Sequence, residues 1–213
     1  MTALRDGLPP LPQRMRSLPV DARGYPVPWF VQFIDGQPDF RVADGEKLVR
    51  ALRGSCCWVC GEPVGKFKTF VIGPMCAVNR TSSEPPCHTD CAVFSATACP
   101  FLRLPKAQRR DANIPAGVAD PPGEFLTRNP GVTLLWTTLS YTRMKVDGGV
   151  LFRLGDPTQV RWYAQARTAT RAEILESIDS GMPTLREYAD LDGGGAPAQL
   201  EKQYNEMLAL LPR

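Results

Sequence analysis

A chain of 213 residues suffices for one packed domain with appendages, and 43% hydrophobic with 22% charged residues excludes wholesale disorder. No apolar run reaches bilayer length, and the opening MTALRDGLPPLPQRMRSLPV lacks the apolar stretch of a secretory signal, so the expectation is a cytoplasmic protein with no membrane partner. The net charge of +3 is uneven: residues 1–110 carry 15 Lys and Arg against 9 Asp and Glu, whereas residues 111–213 carry 10 against 13. A basic first half points to an anionic partner, against the plainer reading of an ordinary solvated surface.

Residues 1–27 are dense in proline (LPPLPQRM, SLPV, YPVP) and predict an extended arm, draped on the body or mobile. The body is expected over 28–165. It opens on a β-hairpin in PWFVQFIDGQPDFRVA, whose first strand reads as largely buried and whose turn is Asp35-Gly36. Glu46 to Arg53 predict a short helix with Leu48, Val49 and Leu52 on one side, stopped by Gly54. A cysteine-rich segment follows at 55–102, in which KFKTFVIGPMCAVNR reads as two short strands around Gly73-Pro74. After a Pro- and Gly-rich connection at about 111–130, the pattern predicts two strands, Val132 to Tyr141 and Gly149 to Leu154. A turn at Asp147-Gly148 would pair them antiparallel.

The last third predicts helices. Asp156-Pro157-Thr158-Gln159 and Thr170-Arg171-Ala172-Glu173 both have the form of a capping box. The second helix is expected to end at Gly181, with Pro183 opening another. After Gly193–Gly195, Leu200, Tyr204, Met207, Leu208 and Leu211 form one apolar stripe, the core-facing side of a docked helix. Residues 166–213 therefore read as a C-terminal helical segment docked on the body. The fold class expected is α+β, a small antiparallel sheet with packed helices.

Six of the seven cysteines fall between Cys56 and Cys91, and in a reducing compartment such crowding signals metal rather than disulfides. Cys57-Trp58-Val59-Cys60-Gly61 is a C-x-x-C-G knuckle, in which two thiolates reach one tetrahedral ion and the glycine allows positive φ behind them. Pro85-Pro86 ends extended chain, and His88-Thr89-Asp90-Cys91 opens a helix to about Ala98. His88 and Cys91 lie three apart on one helical face, near an N-terminus that favours thiolate charge. Knuckle, hairpin and ligand-bearing helix follow the order of a treble clef. The expected ligands are Cys57, Cys60, His88 and Cys91, holding a structural Zn²⁺ with no open position. Cys56 competes with Cys57 and Cys87 with His88, while Cys76 and Cys99 read as small buried hydrophobes.

With its single histidine a ligand, the chain has no imidazole left as a general base. It also lacks the deaminase H-x-E and the glycine-rich phosphate loops. A carboxylate-metal enzyme such as a nuclease, using Asp35, Asp39 or Asp44, stays as an alternative beside the turn-forming role those aspartates usually have. The positive signal is FLRLPKAQRR, where Arg103, Lys106, Arg109 and Arg110 follow the ligand helix, and Lys66, Lys68 and Arg80 can extend the same face toward DNA or RNA.

The segments CWVCGEPVGKFKTFVIGPMCAVNRTSSEPPCHTDCAVFSATACPFL, GVLFRLGDPTQVRWYA and TATRAEILESIDSG resemble a group of uncharacterised proteins from phage and bacterial genomes. The resemblance covers most of the chain from about Pro28 and implies a phage or mobile-element context. It assigns no role to any residue. The functional expectation is a zinc-stabilised, non-enzymatic binding protein that contacts nucleic acid. The alternative is a phage-encoded adaptor or inhibitor of a host protein, working through the arm and the C-terminal stripe.

Overall fold

The computed structural model describes residues 3–104, 107 and 129–212. Lys106, Arg109, Arg110 and nearly all of the Pro- and Gly-rich connection lie outside these residues. The fold is mixed α and β, with three small antiparallel sheets and six α-helices among the described residues.

The arm is tied down. A 3-10 turn at Gln13–Met15 buries Met15, and Leu8, Leu11 and Leu18 pack around it against the cysteine-rich segment. β1 (Val31–Ile34) and β2 (Gln37–Ala43) form the expected hairpin, with positive φ at Asp35 (49°) and Gly36 (76°) as a tight two-residue turn requires. Its first strand is not largely buried: Val31 is enclosed, but Phe33 is 45% exposed. α1 (Gly45–Gly54) begins where Asp44 accepts hydrogen bonds from the amides of Glu46 and Lys47, and it passes through Gly54 to end at Ser55.

A four-stranded sheet forms the wall of the molecule. β3 (Lys68–Ile72) pairs with β5 (Thr133–Thr138), which pairs with β8 (Pro157–Ala164), which carries the short β9 (Arg167–Thr168). β5 is buried along its whole length because both of its faces are covered. Leu134 and Trp136 enter one hydrophobic core, and Leu135 enters the other. The first core is completed by α2 (Pro74–Asn79), α5 (Arg171–Asp192) and α6 (Ala196–Leu208). The second contains the cysteines and α3 (Thr89–Ala98). α4 (Pro100–Arg103) follows α3 directly. A three-stranded sheet orders β4 (Thr81–Ser82), β7 (Gly149–Leu154) and β6 (Tyr141–Val146) and adds Phe152 and Leu154 to the first core.

Four further expectations are corrected. The segment after Gly73 is helix α2 rather than a strand: Pro74 takes the first helical position, where its missing amide costs nothing, and Arg80 closes the helix in the left-handed region. The strand expected from Val132 to Tyr141 is two strands in two sheets, broken at Leu139–Ser140. There Thr138 Oγ1 donates to the Asp156 carbonyl (2.8 Å), and Gly155 approaches too closely for a Cβ, which would lie 2.6 Å from the Ser140 oxygen. Gly149–Leu154 accordingly pairs with β6 and not with β5. Asp156–Gln159 opens strand β8, where Val160, Trp162 and Ala164 alternate into the core; period-two burial overrides the local capping pattern. Finally, α5 does not stop at Gly181 but continues through Pro183 to Asp192. Gly181 is there for close approach, since a Cβ would meet Met75 Sδ of α2 at 2.5 Å. The capping box at Thr170 and Glu173 and the docked stripe of Leu200, Met207 and Leu211 are as expected.

Candidate metal centre

The ligand atoms of Cys57, Cys60, His88 and Cys91 lie within 4.8 Å of one another. Two short elements bring them together. In the knuckle, the Gly61 amide donates to the Cys57 carbonyl (2.8 Å), the Cys57 amide donates to Glu62 (2.7 Å), and the Cys60 amide points at Cys57 Sγ (3.4 Å). Gly61 holds the φ of 81° that this turn demands. At the other element His88 is the N-cap of α3, so its amide is free to donate to the same Cys57 sulfur at 3.4 Å, and Cys91 sits in the first turn.

The imidazole is aimed by the backbone. Nε2 lies 3.0 Å from the Pro63 carbonyl, which can only accept, so Nε2 carries the proton and Nδ1 offers its lone pair. Nδ1 faces Cys60 Sγ at 3.4 Å and Cys91 Sγ at 4.0 Å. Sequence reasoning missed this Pro63 contact, because it is made by a backbone carbonyl and no side chain advertises it.

Three thiols this close share charge unequally. Hydrogen bonds from Cys60 and then Cys91, aided by the two amides, hold Cys57 far down, at about 2. The reciprocal bond to Cys57 pushes Cys60 up to about 11, and Cys91 is raised by its bonds to both neighbours. One negative charge is therefore stabilised by protein groups alone. Three thiolates need a cation among them. Three sulfurs and one imidazole nitrogen are the donor set of a closed tetrahedral site.

The competing cysteines are placed elsewhere. Cys56 is outside the cluster, and Cys87 is fully covered with its thiol donating to the Thr69 carbonyl at 3.1 Å. Thr69 and Cys87 also exchange backbone hydrogen bonds, which fixes the ligand helix to the edge of β3. A hydroxyl relay from Thr89 at the start of α3 through Thr69 to Thr137 of β5 adds contacts of 2.8 and 3.0 Å. On the other side the knuckle meets the N-terminal hairpin: Trp58 stacks on Phe30 at 5.0 Å and meets Trp29 edge-on at 6.4 Å.

The expected basic face is only partly assembled. Lys66 is exposed beside Phe67, Lys68 donates to the Lys66 and Leu139 carbonyls, and Arg103 ends α4 exposed. Arg80 departs from that face: it bridges Asp156 and Glu206 at 3.0 Å each and lies over Trp136. Lys106, Arg109 and Arg110 lie outside the described residues. A groove of about 620 Å³ runs between Pro9–Pro12 of the arm and the Asp90, Val93 and Thr97 face of α3, with Arg161 at its wall. Among the described residues no helix is long and apolar enough to cross a membrane.

No family model matches the chain, and neither a curated protein nor a solved structure matches it.

Proposed function

We propose that Cys57, Cys60, His88 and Cys91 bind one structural zinc ion between the knuckle and the first turn of α3, with β3 and α2 standing where a treble clef has its hairpin, and that the chain is a cytoplasmic, non-enzymatic binding protein whose partner is nucleic acid. The observation that carries the zinc reading is the convergence of four donors within 4.8 Å, with the histidine tautomer set by the Pro63 carbonyl. With zinc bound the shell is full and carries a net charge of −1, which leaves no position for water or substrate. The ion then acts as a staple between the knuckle and α3, and through them holds the arm and the wall together. The only histidine in the chain is engaged there, which removes the usual proton-transfer group from any enzymatic reading.

The nucleic-acid reading is supported by the excess of 15 cations over 9 acids in residues 1–110. Elemental analysis of purified protein is expected to give one zinc per chain, and cobalt substitution a thiolate-to-metal charge-transfer band. Binding to a labelled oligonucleotide is expected to weaken steeply between about 50 and 200 mM salt. A metal-free protein that stays folded in a strong chelator refutes the zinc reading, and absence of binding at low salt refutes the nucleic-acid one.

A second reading, a protein–protein adaptor, is favoured by the groove between Pro9–Pro12 and α3. Capture of a protein partner that survives high salt and is lost on deleting the arm would replace the first reading by this one.

A further inference from the structure

Where α1, β3 and β6 meet, four cations gather around two exposed apolar side chains. Arg53 stands in the last turn of α1, and the Ser55 carbonyl just beyond accepts from the Val64 amide at 2.8 Å, which brings Lys66 to the same end. Lys68 opens β3, and its Nζ donates to the Lys66 and Leu139 carbonyls at 3.1 and 3.4 Å. Arg143 of β6 donates to the Leu52 carbonyl of α1 at 2.7 Å. Phe67 and Leu139 lie just past the Lys68–Thr138 pair that closes the β3–β5 ladder, and they are 53% and 43% exposed. Lys66 Nζ is 5.9 Å from the centre of the Phe67 ring.

The positive charge at this end is a true excess. Among the described residues none of the four cations is ion-paired, and the unpaired acid nearest them in the chain is Glu62. Asp90 and Asp156 border the same end but are paired with Arg14 and Arg80, at 3.3 and 3.0 Å. Further out, Glu46 offsets Arg50 on α1, and Asp147 offsets Lys145 on the β6–β7 hairpin. Four cations against one acid leave +3, or +2 once the −1 of a zinc-loaded centre is included.

An anionic partner fits the charge, and the apolar pair decides which one. A duplex offers phosphates but keeps its base faces inside the stack, so Phe67 and Leu139 would stay in water. A single strand stacks on flat rings, and Leu139 has none. An acidic protein would seat the pair only in a pocket cut to it. A lipid surface needs no fitted pocket, because its anionic headgroups lie directly above an apolar phase. Lysine stems beside the pair can lie along that boundary with their charges at headgroup level. Attachment from one side requires no spanning helix.

We propose that this end of the molecule docks on an anionic lipid surface. Phe67 and Leu139 enter the headgroup–acyl boundary, while Arg53, Lys66, Lys68 and Arg143 meet the headgroup phosphates and carboxylates. The proposal goes beyond the nucleic-acid reading and does not depend on it.

The test is vesicle sedimentation with the full-length, zinc-loaded protein at about 100 mM salt. Phosphatidylcholine vesicles with about 30% phosphatidylserine are expected to bind at least about ten-fold more tightly than pure phosphatidylcholine. Phe67→Ala with Leu139→Ala is expected to weaken binding to the mixed vesicles about ten-fold or more, and Phe67→Leu with Leu139→Ile to keep it. Arg53→Gln with Lys66→Gln is expected to lose about ten-fold or more, since each cation near such a surface contributes about five-fold. Zinc content and far-UV circular dichroism verify that each variant is folded. Binding that is absent, equal on the two vesicles, or unchanged by the alanine pair or the glutamine pair overturns the proposal. Labelled oligonucleotides at about 50 mM salt separate it from the nucleic-acid reading. Oligonucleotide binding lost with Arg53 and Lys66, in a protein that ignores vesicles, gives this end to nucleic acid and sinks the lipid proposal. Vesicle binding without oligonucleotide binding keeps the proposal and removes the nucleic-acid reading.

Discussion

Gly61 faces the indole of Trp29 so closely that a Cβ on the glycine would lie 2.7 Å from the Trp29 Cγ. The same residue holds a φ of 81°. The turn behind the second knuckle cysteine is therefore fixed twice, by backbone conformation and by the ring packed over it. Gly61→Ala is expected to destabilise the protein by about 2–4 kcal/mol, combining left-handed strain with overpacking. Urea unfolding of the zinc-loaded protein measures this, and a midpoint like that of the unsubstituted chain would show that the knuckle is looser than described.

The two candidate ligand sets separate cleanly by substitution. Cys60→Ala is expected to abolish zinc binding and to forfeit much of a contribution on the order of 10 kcal/mol, leaving a chain without a cooperative thermal transition. Cys87→Ala should keep one zinc per chain and cost about 1–2 kcal/mol, through a small cavity and a lost bond to Thr69. Zinc retained in His88→Ala and lost in Cys87→Ala would reverse the assignment.

Arg80 tests the limits of the basic face. Asp156 is almost fully exposed and Glu206 partly so, and each pair therefore contributes only about 0.2–1 kcal/mol. Arg80→Gln is expected to lower stability by about 1 kcal/mol, through these pairs and the lost stacking on Trp136, and to leave oligonucleotide affinity unchanged. A marked loss of affinity with stability intact would return Arg80 to the nucleic-acid interface.

The start of α5 has its own pH dependence. Hydrogen bonds from Arg167 and from the Thr170 amide hold Glu173 at about 2, well below its ordinary 4.5. A carboxylate with a lowered folded-state value contributes stability that is present above the ordinary value and is lost as pH falls from there toward the folded one. Because the group is solvent-screened, the contribution is about 1 kcal/mol. At neutral pH, where the thiolate ligands keep their metal, Glu173→Gln is expected to lower the melting midpoint by the equivalent of about 1 kcal/mol. An unchanged midpoint in the variant would show that this pairing contributes nothing.

The cysteine–histidine cluster is legible in the sequence because its rules are local. Spacing, Gly61, the paired prolines and the helix start all act within a few residues, and the four donors named from them do converge. The capping box at Thr170 was legible for the same reason. Long-range effects were not legible. Nothing near Asp156 says that Trp162 and Ala164 will lie in a core, so the local pattern reads as a helix start where a strand forms. The run from Val132 to Tyr141 looks uniform, yet it is divided between two sheets by contacts with Gly155 and Asp156. Gly181 reads as a stop until Met75 is known to lie against it.

The wall strand β3 lies between Cys60 and His88 in the chain, but its lateral partner β5 begins only at Thr133. During synthesis from the N-terminus, all four donors leave the ribosome more than forty positions before that partner exists. Closing the cluster needs nothing beyond Cys91, and it presents β3 as a template whose partner strand has not yet been made. Growth under zinc starvation is therefore expected to yield aggregated rather than merely weakened protein, since the half-built sheet would wait unanchored for its second half.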